Sequence, residues 1–266
     1  MRMVICPVCH APLLREKTVW HCENGHSFDV ARQGYVNLLT VQQKHSLHPG
    51  DTREMVLARR SFLDAGHYLP IAQKLQALIA QFAPMAETVL DVGCGEGYYL
   101  SHLTQIPTRV GIDISKEAVR YAASRDKAAA WLTATAAHLP FADGSFDSVL
   151  SMFALTAEAE FRRVLNENGI FIQVLAGKHH LSALKNIIYP EILDKEKNLQ
   201  PQLDGFTLLH SETLCFDFSV ESAEMLQNLL YMTPHVWRIS KDAAQTLAQT
   251  ERLEDRAEVV FNVYQR

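Results

Sequence analysis

Thr88-Val-Leu-Asp-Val-Gly-Cys-Gly-Glu-Gly-Tyr-Tyr99 is the stretch on which the fold turns. Val89, Leu90 and Val92 make a short apolar, β-branched run broken by one acid, Asp91. Gly93, Gly95 and Gly97 follow, and Tyr98, Tyr99, Leu100 and Leu103 open an apolar helix. Strand, glycine-rich turn and helix in that order form the first unit of a doubly wound sheet, whose ligand crevice lies at the carboxyl ends of its strands. The glycines let the backbone approach a flat adenosyl ligand, where a β-carbon would hold it off.

A dinucleotide is the first rival for such a turn. Its fingerprint is G-x-G-x-x-G, with a pyrophosphate at the helix N-terminus. Here the spacing is G-x-G-x-G, with Asp91 before the first glycine and Glu96 inside the loop. Two carboxylates so placed repel a pyrophosphate and suit a ligand that carries amine and sulfonium charge. Residues 109–115, Arg-Val-Gly-Ile-Asp-Ile-Ser, read as a second strand ending in Asp113, an acceptor for both hydroxyls of a ribose. Ser115 then caps a helix over 116–125. A loop over 134–141, which contains Leu139, and a strand over 145–150 complete the series. These segments in this order resemble the class I S-adenosylmethionine-dependent methyltransferases across residues 86–180. The resemblance implies an α/β fold, a Rossmann-like and mostly parallel sheet with an antiparallel edge hairpin. It also sets Leu139 beside Asp91, Gly93 and Asp113 as a cofactor-contacting residue. A Rossmann-like domain serving another nucleotide is the plainer alternative.

Bulk properties bound the remainder. At 266 residues and 48 % hydrophobic, the chain is long enough for one large domain and a small one. No apolar run approaches the ~20 residues that cross a bilayer, and no signal-like core opens the chain, so a soluble, cytoplasmic protein without a membrane partner is expected. Three of the five cysteines fall within the first 22 residues, which suits a metal site in a reducing compartment better than disulfides. Net charge is −5, but residues 1–60 carry eight Lys/Arg against five acids. A mildly basic head on an acidic body permits phosphate contact at one end, as would a merely solvated surface.

That head opens with Cys6-Pro-Val-Cys9, followed by Cys22-Glu-Asn-Gly-His26. Each close pair forms a turn that offers two ligands, and the twelve residues between Cys9 and Cys22 form a hairpin that brings the turns together, the arrangement a tetrahedral zinc ion requires. Four filled positions leave none open to substrate, so the zinc is structural, and folding of so short a segment is coupled to it. His10 and His21 are alternatives to His26 as the fourth ligand. Asp51 or Thr52 caps a helix over 52–64, with its basic residues on one side, and Gly66 stops it. A second helix over 70–82 buries Ile71, Leu75, Leu78, Ile79 and Phe82. Beyond the strand over 170–175, we expect helices over 181–188, 221–232 and 241–252 and strands over 205–220 and 258–264. The charged stretch over 194–202 reads as a connector. Neither an internal repeat nor a low-complexity segment is found.

The two-turn head precedes Phe28-Asp, Gly34-Tyr-Val-Asn-Leu-Leu39, Pro49-Gly-Asp51, Ala58-Arg-Arg and Phe62-Leu-Asp-Ala-Gly-His-Tyr68. With the glycine-rich stretch, Gly205-Phe-Thr-Leu208, Met232-Thr-Pro and Trp237-Arg238, this order is similar to the RlmA (RrmA) family of bacterial 23S rRNA guanine-N1 methyltransferases over nearly the whole chain. The resemblance implies three regions: a zinc-binding, RNA-recognising domain over 1–40, a helical linker over 41–84 and a methyltransferase domain over 85–266. It implies zinc on Cys6, Cys9, Cys22 and His26, and S-adenosylmethionine on Tyr68, Gly95, Glu96 and His180. It implies 23S rRNA as partner and a homodimer. Tyr68, just before the first sheet strand, is expected to fold over the crevice as an aromatic lid attractive to a sulfonium. His180 follows the strand over 170–175 and shares the rim of the glycine-rich loop, with His179 as its competitor. After the strand over 145–150, Phe153-Ala154 match the family's aromatic-Ala pair. Leu155 stands where the family has proline and Ser151 where enterobacterial members have arginine, while His45 and Leu47 replace two linker arginines.

The reaction implied is in-line displacement of a methyl group from sulfur by guanine N1, with the base unstacked at the crevice mouth and its N1 proton accepted during or before transfer. No side chain is assigned as the base; Glu158 reads as a helix-start carboxylate. A small-molecule methyltransferase with the head as lid, and a non-catalytic RNA-binding protein that retains cofactor affinity, are the alternatives. Salt-sensitive RNA binding lost with residues 1–40 separates the first from the RNA-directed readings, and methyl transfer onto unmodified rRNA separates the second from the enzyme.

Overall fold

The computed structural model describes residues 3–44, 46, 49–191 and 198–266. His45, Leu47 and the charged core of the 194–202 connector lie outside them. In the head, β1 (Leu14–Arg15), β2 (Val19–His21) and β3 (Ser27–Asp29) form a small antiparallel sheet in the order β1-β2-β3. A short strand β4 (Val36–Asn37) follows, then two helices, α1 (Arg53–Asp64) and α2 (Leu69–Phe82). Thr52 caps α1, its Oγ1 accepting from the Met55 amide at 3.4 Å.

The main body alternates strand and helix: β5 (Thr88–Val92), the single turn α3 (Tyr98–Ser101), β6 (Thr108–Asp113), α4 (Lys116–Arg125), β7 (Ala130–Thr133), β8 (Phe146–Met152), α5 (Glu158–Val164), β9 (Leu165–Ala176) and α6 (Ser182–Ile188). It closes with β10 (Thr207–Val220), α7 (Ala223–Tyr231), α8 (Lys241–Gln249) and β11 (Leu253–Gln265). The large sheet runs β10-β11-β9-β8-β5-β6-β7-β4, parallel from β9 through β4 and antiparallel at β11 and β10. Strand order reverses between β8 and β5, which places the ligand crevice beyond the carboxyl ends of those strands.

The last two strands form the expected antiparallel hairpin at the edge of the sheet, with β10 outermost, and β11 is longer than expected, beginning at Leu253 because its polar first residues continue the ladder against β10. The helix after the glycines is a single turn, since Ser101 Oγ and His102 Nδ1 both bond back to the Tyr98 carbonyl.

The sheet has a core on each face. One, with Phe62, Leu75, Leu103, Trp131, Leu150 and Phe261, lies under α1, α2 and the C-terminal helices. The other joins head to body: Val4, Trp20 and Leu38 pack with Phe141, Phe161 and Phe171. The backbone stitches the same junction. Ile5 donates to the Pro140 carbonyl at 2.9 Å, Ala142 to the Met3 carbonyl at 2.8 Å, and β4 pairs in parallel with β7. Residues on the head side of position 40 thus supply the last strand of the large sheet.

Candidate functional site

Two constellations emerge, one in the head and one at the strand ends. In the head, Cys6, Cys9, Cys22 and His26 bring their ligand atoms within 4.8 Å of one another. Cys9 Sγ lies 3.7 Å from Cys22 Sγ, and His26 Nδ1 lies 3.5 Å from Cys22 Sγ and 3.6 Å from Cys6 Sγ. A tetrahedral zinc with Zn–S bonds of about 2.3 Å spaces its sulfurs about 3.8 Å apart, so the donor set fits that ion in chemistry and size. Neither His10 nor His21 joins this group; His21 instead faces Glu16 at 3.8 Å. The Asn24 amide donates to Cys9 Sγ at 3.2 Å and, with backbone N–H groups, draws that thiol down to about 6, which favours the thiolate a metal needs.

At the strand ends, Asp113 terminates β6 and turns back on the glycine-rich loop. Its Oδ2 accepts from the Gly95 amide at 2.9 Å and its Oδ1 from the Ser115 amide at 2.8 Å. A carboxylate has about four lone-pair sites, so both oxygens keep capacity for a diol. Burial raises the Asp113 carboxyl above the usual range, opposed by those two amides and by the charge of Arg59. Asp91, at 1 % exposure, is the outlier of the region. Among the described residues neither of its oxygens finds a hydrogen-bond partner, and burial, with Asp113 nearby, pushes its carboxyl up to about 7. An orphaned acid beneath a glycine turn fits a ligand that brings cationic N–H groups, and opposes a diphosphate. Gly93 and Gly95 have φ of 77° and 56°. A β-carbon on Gly93 would stand 2.6 Å from Cβ of Ala154, so β5 and β8 meet there without room for a side chain.

Glu96 is paired within the protein at one of its two carboxylate oxygens. Its Oε2 accepts from Arg125 Nε at 2.7 Å, and Arg125 also reaches Asp64 at 2.7 Å. Arg125 thus balances one oxygen of Glu96, while Glu96 Oε1, like both oxygens of Asp91, is buried without a hydrogen-bond partner among the described residues. Tyr68 is no lid. It is 2 % exposed and edge-on to Phe62, Phe216 and Phe218, because the turn after α1 folds it inward. Its hydroxyl lies 3.1 Å from His180 Nε2. His180 Nδ1 accepts from the Glu258 amide at 3.2 Å, so a neutral ring carries its proton on Nε2 and donates to Tyr68. His179 instead offers its backbone N–H to Glu258. Leu139 is buried in the core shared with the head, its amide held by Glu160 at 2.6 Å and its carbonyl by Arg163 at 2.9 Å.

Two residues of the crevice wall carried no site role in the sequence reading or only a weak one. Phe153 follows β8 with φ of 56°, a left-handed conformation that is costly for a bulky residue. Its ring is 39 % exposed and stacks on His180 with centroids 6.0 Å apart. Ser151 is buried and closes this turn, its Oγ donating to the Ala154 carbonyl at 3.2 Å, while Leu155 is 85 % exposed at the mouth. Arg59, on α1, brings its guanidinium against the glycine turn, with Nη1 3.6 Å from where a β-carbon on Gly95 would stand. The aromatic-Ala pair hinted at Phe153; for Arg59 the signals were a basic helix face and the Ala58-Arg-Arg segment.

A parallel sheet with an acid-lined G-x-G-x-G turn, an acid at the end of the neighbouring strand and a Cys3His head define a class I S-adenosylmethionine-dependent methyltransferase with a zinc ribbon. Comparison with known proteins agrees: residues 4–47 match the family described as RlmA, N-terminal, and residues 90–173 a methyltransferase domain. A Streptomyces fradiae protein named 23S rRNA (guanine(748)-N(1))-methyltransferase is 39 % identical over 91 % of this chain and 88 % of its own length. Bacillus subtilis YxjB, provisionally named as a 23S rRNA (guanine-N1)-methyltransferase, is 31 % identical over 93 % of this chain and 91 % of its own. The chain belongs to the RlmA family of 23S rRNA (guanine-N1)-methyltransferases.

Proposed function

We propose that this enzyme methylates N1 of a guanine in a hairpin loop of 23S rRNA, and that it acts in the cytoplasm as a homodimer. The observation that carries the reading is the adjacency of the acid-lined turn to Phe153, a strained and exposed ring at the end of β8. S-adenosylmethionine, when bound, supplies an electrophilic methyl on sulfonium. Asp113 and the glycine turn hold the ribose side, and Asp91 answers the cationic side. His180 and Tyr68 form the wall behind. Glu96 and Leu139 act from the second layer, one through Arg125 and the other through the loop beneath the head. Phe153 presents a flat face on which an unstacked guanine can lie, a contact worth about 1–3 kcal/mol. The left-handed backbone aims that ring and is stabilised by the Phe153 amide bond to the Val174 carbonyl at 2.9 Å.

The division into a zinc-binding, RNA-recognising region over 1–40, a helical linker over 41–84 and a methyltransferase region over 85–266 belongs to the same proposal. Zinc on Cys6, Cys9, Cys22 and His26 shapes the head, and its basic residues, Arg15 and Lys17 among them, approach the RNA backbone.

The deciding experiment supplies labelled S-adenosylmethionine and rRNA from a strain that lacks the gene, then maps the product by primer extension. A methyl on N1 blocks the pairing edge and stops the polymerase. A stop at one loop guanine is expected, with guanine 748 the first position to inspect, given the Streptomyces fradiae relative. No transfer to rRNA, with transfer to a small molecule, would replace this reading by the small-molecule one. Light scattering tests the dimer.

A further inference from the structure

S-adenosylmethionine carries a carboxylate beside its amine and sulfonium. A crevice walled by Asp91 and Asp113 repels that group unless a cation stands close to it. Arg59 occupies the required place. A β-carbon on Gly95 would lie 3.6 Å from Arg59 Nη1 and 3.9 Å from its Cδ, so the guanidinium spans the bare backbone of the glycine turn. Its charge draws down both the Asp113 carboxyl and the Tyr99 hydroxyl against the upward push of burial.

The guanidinium is also anchored. Nη1 pairs with Asp51 Oδ2, and Nη2 donates to the Met232 carbonyl at 3.2 Å. Asp51 is itself fixed, since its carbonyl accepts from Ser115 Oγ at 2.8 Å. Three segments distant in sequence, residues 51–59, 113–115 and 232, therefore converge on one side chain. The side chain of Arg59 remains 25 % exposed with both anchors made. A planar fork with five N–H donors can keep both anchors and still offer N–H groups to a carboxylate.

We propose that Arg59 receives the carboxylate of S-adenosylmethionine, with Asp51 as the positioning residue that holds its guanidinium over Gly95. The assignment rests on reading the crevice as the S-adenosylmethionine site. It gives the crevice a matched pattern: Asp91 for the sulfonium and amine, Asp113 for the ribose and one guanidinium for the carboxylate.

The test is calorimetric binding to the full-length, zinc-loaded chain. Two ligands are compared, S-adenosylmethionine and its decarboxylated form, which keeps the sulfonium and amine. A charge-assisted hydrogen bond contributes about 1.5–3 kcal/mol, so the wild type is expected to prefer the intact ligand by about 10- to 100-fold. Arg59→Gln should erase that preference by weakening the intact ligand alone. Arg59→Lys, which keeps the charge but loses the fork, should retain part of it and stands in if the glutamine variant does not fold. A wild type indifferent to decarboxylation, or an Arg59→Gln variant that weakens both ligands alike, overturns the assignment and leaves the crevice reading intact. A wild type that binds neither sulfonium overturns the crevice reading and the assignment together.

Discussion

In the head, the outermost ligands, Cys6 and His26, are 20 positions apart. In the crevice wall, Tyr68 and His180 touch across 112 positions, and Arg59 reaches Met232 across 173. The head is a local device: two turns and a hairpin bring four donors together, and the ion's own bonds hold them. The crevice is a product of topology, assembled only when a parallel sheet sets the ends of β5, β6, β8 and β9 side by side. One site depends on a ligand to fold; the other depends on a fold to bind.

The largest effect should therefore come from removing a metal ligand. Cys22→Ser should lower bound zinc from about one ion per chain to near zero, because a structural zinc contributes about 10–16 kcal/mol to the fold it organises. Metal analysis and proteolysis within the first 35 residues measure it. The two regions share the hydrogen bonds between residues 3–5 and 140–142, so cofactor affinity should also fall by about 3- to 10-fold. An unchanged affinity would show the head and crevice to be energetically separate.

Next in size, Asp113→Ala removes the proposed ribose acceptor and also frees the Gly95 and Ser115 amides. Cofactor affinity should fall about 100-fold with zinc content unchanged, read by calorimetry and metal analysis. If the ring carries the unstacked guanine as proposed, Phe153→Ala should lower kcat/KM for rRNA by about 5- to 100-fold and leave cofactor affinity within about 2-fold. Equal losses in both would place Phe153 in the cofactor wall.

The smallest effect concerns pH. Asp91 ionises near 3.8 when unperturbed and near 7 in the fold, so the native state holds its proton more firmly than the unfolded chain does. Its stability is complete below about pH 4 and drains as pH rises toward 7. Asp91→Asn cannot titrate there. The melting temperature of that variant minus that of the wild type, both without cofactor, should grow by several degrees from pH 4 to pH 8. A flat difference would mean that the Asp91 charge is already balanced.

What could be seen in the sequence follows the same divide. The grouping of Cys6, Cys9, Cys22 and His26 was legible because spacing alone brings them together, and the placing of Asp91, Gly93, Gly95 and Asp113 at the strand ends because strand ends and glycine turns have local signatures. The partner of a side chain was not. That Arg125 of α4 takes one oxygen of Glu96 is visible only in the fold, and Tyr68, expected as a lid, is enclosed by the aromatic residues of β10. Leu139 belonged to the right loop, but its side chain serves the joint with the head. Arg59 could not be singled out, since Asp51, Gly95 and Met232 meet it only in the fold.

The short pairing of Val36 and Asn37 with Leu132 and Thr133 has a practical consequence. An excision at position 40 would strip β7 of its neighbour and bare the apolar patch around Phe141, a template for sticky edge-to-edge association. Loss of RNA binding in such a shortened protein would then report clumping and not recognition. Charge reversal at Arg15 or Lys17, which leaves every strand clothed, is the cleaner way to ask what the head grips.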